Sequence, residues 1–139
     1  MALDAAAVQQ LILNGLPAAA ESGIQVEQAG DGKATVRQPF RASAVRPGGT
    51  LSGPTIMGLA DAAMYAAILG QLGRLEMAVT QNLNINFLRR PAPRDLLAHC
   101  NIIRLGRRSV VLEVWLYSEG DEDEPVAHVT GTYALPAAG

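Results

Sequence analysis

The spacing of apolar and polar residues predicts a long buried helix in the middle of the chain. From Gly53 to Leu72 the sequence reads GPTIMGLADAAMYAAILGQL, and Asp61 is its only charged residue. A helix that is apolar on every side is usually covered on every side. Pro54 suits the first turn of a helix, where a backbone N–H has no partner within the helix. We therefore predict a core helix over about residues 54–72.

Shorter elements precede this helix. Asp4 can cap a first helix, whose apolar residues follow it directly. Residues 23–30 and 33–39 are predicted to be two strands, and the Asp31-Gly32 pair between them is a strong signal for a tight hairpin. The stretch from Arg41 to Leu51 is rich in Pro and Gly and is predicted to be a loop.

After the helix the pattern changes to strict alternation, which indicates strands. The alternation is clearest from Asn82 to Phe87, where Leu83, Ile85 and Phe87 lie on one face. Short turns link this strand to three further ones, so we expect the four strands to form an antiparallel meander. The predicted strands of this half are 82–87, 96–104, 110–116 and 126–133.

The order of these elements predicts an α+β fold. One long apolar helix must lie against the concave face of one curved antiparallel sheet, and we expect a single domain over residues 1–139. Such a sheet leaves an edge strand to protect, and pairing two edges in a dimer is one solution. We therefore expect a homodimer or a dimer of dimers.

Composition narrows the classes of function. The formal charge of −2 gives no reason to expect nucleic-acid binding, which requires a basic face. One cysteine, and a start without a basic segment followed by an apolar stretch, fit a cytoplasmic protein. The apolar run is just long enough to be considered as a membrane span. A carboxylate near its middle would cost about 2.5–3.5 kcal/mol to insert, so we expect no membrane association.

The candidate chemistry depends on Asp61. A carboxylate on an apolar helix is costly to bury unless it is hydrogen-bonded or protonated. Gly53 places a backbone N–H at the start of the same helix, where the helix dipole favours developing negative charge, as an oxyanion hole requires. Asp61 lies about two turns further on, roughly 12 Å of rise. A site that uses both residues would therefore need two helices packed antiparallel across a dimer.

Three motifs in order resemble one family. The segment GTLSGPTIMGLAD runs from Gly49 to Asp61, LNINFLRRP runs from Leu83 to Pro91, and Gly106-Arg107-Arg108 follows. Together they resemble the hotdog-fold acyl-CoA thioesterases of the phenylacetate-degradation type. The order of the predicted elements agrees with that family from about residue 23 to residue 134.

Three positions depart from the family's pattern. Ser52 stands where the family usually has His, and Pro54 where it has a second Gly. Arg46 stands where some members have an Asn that helps to hold substrate or water. The oxyanion donor and the carboxylate remain in place, so these departures concern positioning, the preferred acyl group and the rate.

The resemblance implies hydrolysis of a medium-chain or aryl acyl-CoA to the free acid and CoA. The thioester carbonyl would lie against the Gly53 N–H, and Asp61 of the partner subunit would act as general base or nucleophile. Ser52 and Thr80 complete the implied catalytic set, with Thr80 orienting water. The implied substrate-binding residues are Arg46, Met57, Met64, Tyr65, Asn84, Arg89, Arg90, Gly106, Arg107 and Arg108. Neither a metal nor a cofactor is expected, apart from the CoA of the substrate.

Simpler interpretations of these residues stay open. Asp61 could be a structural carboxylate, Thr80 an ordinary strand residue, and Arg107-Arg108 a solvated turn. Asn84 could face water or pair across a dimer interface. A hydratase or dehydratase acting on an acyl thioester is a second hypothesis, although such enzymes usually use a catalytic His and none lies in or near the helix. A non-catalytic acyl-CoA-binding protein is a third.

Overall fold

The computed structural model describes residues 3–15, 22–41, 45–46, 50–73 and 77–136. Two helices and eight strands follow one another through these ranges. They are α1 (Ala5–Gly15), β1 (Gln25–Gly30), β2 (Lys33–Gln38), β3 (Val45–Arg46), β4 (Thr50–Leu51), α2 (Gly53–Leu72), β5 (Val79–Phe87), β6 (Leu96–Leu105), β7 (Ser109–Ser118) and β8 (Ala127–Ala134).

Six of the strands form one antiparallel sheet in the order β1-β2-β6-β7-β8-β5. The tight hairpin between β1 and β2 is confirmed. Asp31 and Gly32 have φ angles of 56° and 74° in the turn, as a two-residue hairpin loop requires. The remaining pair, β3 and β4, forms a small separate hairpin inside the segment that was predicted to be all loop. That prediction was therefore wrong in this part.

The prediction that β5, β6, β7 and β8 form a four-strand meander is wrong for β5. β6, β7 and β8 pair in sequence, but β5 pairs with β8 rather than with β6. The connection that contains Pro91 and Pro93 begins beside β8, where the Leu88 and Arg89 N–H groups both donate to the Val126 carbonyl. It then crosses to β6, and this crossing leaves β5 at one edge of the sheet. The other edge is β1, because the β1–β2 hairpin pairs with β6 through β2.

The helix α2 begins and ends where its sequence predicts. Ser52 caps it, because its Oγ accepts the Thr55 N–H at 3.3 Å. The helix ends at Gly73, which has a φ of 88° and donates its N–H to the Leu69 carbonyl at 2.9 Å. By length and composition alone α2 could cross a membrane, but it lies against the sheet, and 56% of its most apolar window is buried there.

The core lies between α2 and the concave face of the sheet. Leu59, Met64, Ile68 and Leu69 of the helix are fully buried against β1, β2, β6 and β7. The strands contribute alternate residues, which include Val36, Ala98, Leu112, Val114 and Val129. The predicted α+β arrangement of one sheet curved around one central helix is thus confirmed. The helix α1 packs beside it through Val8 and Ile12, and Asp4 caps it by accepting the Ala7 N–H at 2.9 Å.

Candidate active site

Asp61 lies at the edge of the core, where its carboxylate is held by two hydroxyl groups. The Thr80 Oγ1 donates a hydrogen bond to Asp61 Oδ1 at 2.7 Å, and the Tyr133 hydroxyl donates to the same oxygen at 2.7 Å. The Tyr133 hydroxyl also lies 3.1 Å from the backbone carbonyl of Asp61. The cost of keeping this carboxylate on an apolar helix is therefore offset by two short, charge-assisted hydrogen bonds.

A β-bulge brings Thr80 to this position. Asn82 lies opposite Thr132, but Thr80 lies opposite Tyr133, so Gln81 is the extra residue of the bulge. Without the bulge, strict alternation would put Gln81 opposite Tyr133 and turn Thr80 to the other face of the sheet. Bulges are frequent next to active sites because they redirect single side chains in this way.

Asp61 lines a pocket of about 330 Å³ beside α2. The apolar part of its lining comes from Ile24, Leu59, Ala62 and the rings of Tyr65 and Tyr133. The two rings are stacked, with an angle of 15° between their planes and 6.2 Å between their centroids. Ser22, Gln38 and Thr55 add polar groups to the wall. A concave, mostly apolar pocket with a few convergent polar groups is the usual form of a small-molecule site.

Burial also fixes the protonation state of Tyr133. Its hydroxyl is shielded from solvent and faces the negative charge of Asp61, and these two effects raise the pKa of Tyr133 far above its ordinary value of 10.0. The hydroxyl therefore keeps its proton and remains a hydrogen-bond donor to the carboxylate.

The start of α2 has one backbone donor to offer. Ser52 satisfies the Thr55 N–H through its side chain and the Ile56 N–H through its carbonyl, and Pro54 has no N–H. The Gly53 N–H has no hydrogen-bond partner among the residues that the structure describes. Ser52, predicted to be catalytic, thus serves as the helix cap, and its Oγ also lies 2.9 Å from the Thr55 hydroxyl.

Some predicted substrate contacts lie elsewhere in the protomer. Met64 is fully buried with its sulfur packed against Gly131, so it belongs to the core and does not line the pocket. Met57 is 40% exposed and also lies outside the pocket lining. Asn84 is exposed on the edge strand β5, opposite Thr130. The side chain of Arg46 lies outside the described part of the structure.

The predicted CoA-binding arginines lie at opposite ends of the sheet. Arg107 and Arg108 are exposed in the turn between β6 and β7, which Gly106 closes by donating its N–H to the Ser109 carbonyl at 2.9 Å. Arg89 and Arg90 follow the far end of β5. Arg89 is paired there with Glu124 at 3.2 Å. One protomer therefore does not bring the four arginines together.

The two histidines lie on the face of the sheet away from α2. His99 contacts the hydroxyls of Thr35 and Tyr117, and His128 pairs with Glu113 at 2.9 Å. Neither ring is near Asp61. The carboxylate–histidine pair that a hydratase usually needs is therefore absent from the described residues of this pocket.

Tyr133 is the site residue that the sequence did not indicate. It occupies an ordinary inward-facing position of β8, and nothing in its neighbourhood marks it as functional. Its partnership with Thr80 depends on the pairing of β5 with β8 and on the bulge. Finding it from the sequence would have required both the pairing of β5 with β8 and the position of the bulge.

Comparison with known proteins agrees with this fold and pocket. The sheet curved around a central helix is the hotdog fold, and residues 48–124 match the model of the thioesterase superfamily. The chain belongs to that superfamily and is a thioester hydrolase. A protein of Halobacterium salinarum that is named a candidate esterase is 30% identical over 135 residues, which cover 92% of this chain and 89% of the relative.

Two solved structures show how far the likeness extends. A candidate thioesterase from a Silicibacter species has a TM-score of 0.86 at 35% identity and covers 96% of this chain and 92% of its own. A mutant of the phenylacetic acid degradation protein of Thermus thermophilus has a TM-score of 0.74 at 28% identity. That match covers 85% of this chain and 97% of the other.

Proposed function

We propose that this protein hydrolyses a medium-chain or aryl acyl-CoA to the free acid and CoA. The observation that carries the proposal is the oriented carboxylate of Asp61 on the wall of an apolar pocket of about 330 Å³. An acyl group of moderate size would occupy the apolar part between Ile24 and Tyr65. The thioester carbonyl would then lie near the carboxylate.

The reaction needs one activated oxygen and one oxyanion donor. As general base, Asp61 takes a proton from water while the water oxygen bonds to the thioester carbon. The Gly53 N–H stabilises the negative charge that develops on the carbonyl oxygen. The C–S bond then breaks, and the proton returns to the sulfur of CoA. As nucleophile, Asp61 would itself bond to the carbon, and water would cleave the resulting anhydride.

We propose that two chains build each site by pairing their β5 edges. β5 is an edge strand of nine residues with no charged side chain from Val79 to Leu88. Val79 and Phe87 expose large apolar side chains at its two ends, and Leu88, the residue after it, exposes a third. A long, uncharged edge with unpaired backbone groups favours pairing with another strand, and a second copy in antiparallel register satisfies it.

This pairing would bring Gly53 of one chain to Asp61 of the partner subunit. Within a protomer, a Cβ on Gly53 would lie 3.5 Å from the Phe87 ring at the far end of β5, whereas Asp61 contacts Thr80 near its start. Antiparallel pairing places the end of one β5 beside the start of the other. The oxyanion donor and the carboxylate, roughly 12 Å apart along one helix, can then converge across the interface.

The same geometry supports a phosphate-binding region for CoA. The end of β5 carries Arg89 and Arg90, and the start of the partner's β5 lies two strands from the turn with Arg107 and Arg108 of the partner subunit. At about 4.8 Å per strand, the two pairs would be separated by roughly 14 Å across the sheet. Guanidinium groups pair well with phosphate, and CoA carries a diphosphate and a separate 3′-phosphate for the two arginine pairs to bind.

Complementation between two inactive variants tests the composite site. Asp61→Asn removes the base or nucleophile. Gly53→Pro removes the N–H and adds a ring, and Ser52 already has the extended conformation (φ −73°, ψ 155°) that a following proline requires. Gly53→Ala is the matched control, because it keeps the N–H and its Cβ makes only an ordinary contact with Phe87.

We expect each inactive variant alone to release no thiol and Gly53→Ala to remain active. Refolding the two inactive variants together in equal amounts should restore about one quarter of the wild-type activity, because half the dimers are mixed and each holds one intact site. No recovery in confirmed mixed dimers would contradict the composite site.

A further inference from the structure

The carboxylate of Asp61 is held asymmetrically. Its Oδ1 accepts hydrogen bonds from Thr80 and Tyr133, both at 2.7 Å, while Oδ2 accepts none from the residues that the structure describes. A carboxylate with one oxygen fixed by two donors has a defined plane. The other oxygen is then left to act on substrate or water.

Tyr133 is built to hold this geometry. The residue is only 3% exposed, its ring stacks on Tyr65, and it lies directly opposite Thr80 in the ladder between β5 and β8. Both hydroxyls therefore reach the same oxygen from neighbouring strands of a packed sheet. Thr80 donates its one hydroxyl proton to Asp61. Its hydroxyl can therefore only accept a hydrogen bond from a water molecule.

We propose that Tyr133 is a positioning residue that, together with Thr80, locks Oδ1 of Asp61 and makes Oδ2 the reacting oxygen. This inference rests on the proposed acyl-CoA hydrolysis. Both forms of the reaction need one carboxylate oxygen at a fixed distance from the attacked carbon or the attacking water. An error of about 1 Å in such a placement can cost a factor of about 100 in rate.

Tyr133→Phe tests the role, because it removes the hydroxyl and keeps the ring against Tyr65. The matched control is Tyr117→Phe. Tyr117 is also buried on a strand, at 5% exposure, but its hydroxyl contacts His99 on the face of the sheet away from α2. Both changes delete one buried tyrosine hydroxyl, and only the first deletes a hydrogen bond to Asp61.

We expect kcat for acyl-CoA to fall about 10- to 100-fold in Tyr133→Phe, with KM changed less than about twofold. Tyr117→Phe should keep the wild-type kcat. In a crystal structure of Tyr133→Phe, the Asp61 carboxylate should be rotated or disordered. Thr80→Val should show the same loss of kcat, since it removes the second donor.

The proposal is overturned if Tyr133→Phe keeps the wild-type kcat, or if it loses no more than Tyr117→Phe. Wild-type protein that hydrolyses no acyl-CoA would contradict the proposed function instead. In that case the crystal structure of Tyr133→Phe alone tests whether Tyr133 positions Asp61. An Asp61 carboxylate that keeps its orientation without the Tyr133 hydroxyl would refute it.

Discussion

Gly70 of the central helix lies directly against Ala29 of β1. A Cβ at position 70 would come within 2.9 Å of the Ala29 Cβ and 3.0 Å of the Gly30 backbone nitrogen. Because real Cβ atoms do not approach so closely, the helix can lie this near the strand only with glycine there. The close approach holds α2 in the concave face of the sheet, and the same helix carries Asp61.

We therefore expect Gly70→Ala to lower the free energy of unfolding by about 1–3 kcal/mol, the usual cost of overpacking a core. Gly58→Ala on the same helix is the control, because a Cβ there meets nothing within 4 Å in the protomer. Alanine should stabilise a helix at that position by up to about 1 kcal/mol. Urea unfolding of both variants measures the difference, and a stabilised Gly70→Ala would contradict this packing.

A charge at the middle of β5 should separate the proposed dimer. In antiparallel edge pairing, Asn84 lies near its own copy, so Asn84→Asp would bring two carboxylates together across the interface. We expect monomers by light scattering and loss of thioesterase activity. Gln25→Glu adds the same charge to the opposite edge strand, β1, and should leave the dimer intact. An active monomeric Asn84→Asp variant would refute the composite site.

Replacement of both Arg107 and Arg108 by Ala should weaken binding of CoA thioesters. We expect a several-fold increase in KM, little change in kcat, and a weaker dependence of KM on salt. A thioester of N-acetylcysteamine carries no phosphates and should be hydrolysed equally by wild type and the double variant. An equal loss on both substrates would show that the arginines act on folding or on the site itself.

Alkaline pH should destabilise the protein. Burial raises the pKa of the Cys100 thiol above 9.0, and burial together with Asp61 raises the pKa of Tyr133 above 10.0. Above these values the unfolded chain releases both protons while the folded chain keeps them, so the free energy of unfolding falls as pH rises. The slope reaches about 1.4 kcal/mol per pH unit for each group.

Urea titrations between pH 7 and pH 11 measure this slope, with Cys100→Ala and Tyr133→Phe as the variants that should flatten it. A wild-type stability that stays constant up to pH 11 would show that neither group is held protonated by the fold.

The core of the fold was predictable because its signals are local. The apolar run of α2, Pro54 at its start and the hairpin at Asp31-Gly32 each depend on residues close together in the sequence. The position of β5 was not predictable in this way. A short connection favours pairing with the next strand, but the chain crosses to β6 and leaves β5 beside β8.

The candidate site was likewise predictable only in part. Asp61 and Gly53 could be identified from their place on the helix, and Thr80 through the family resemblance. Tyr133 could not be identified, because its contact with Asp61 requires both the pairing of β5 with β8 and the bulge at Gln81. Met64 was assigned to the pocket because helical spacing does not distinguish a pocket wall from the buried face against Gly131.

Thiol release by wild type and Asp61→Asn tests the central claim most directly. The substrates are short-chain, medium-chain and aryl acyl-CoAs, and circular dichroism with light scattering confirms that both proteins are folded and in the same oligomeric state. We expect wild type to turn over medium-chain or aryl thioesters and Asp61→Asn to lose activity by about 1,000-fold. Turnover by Asp61→Asn close to the wild-type rate would contradict the account.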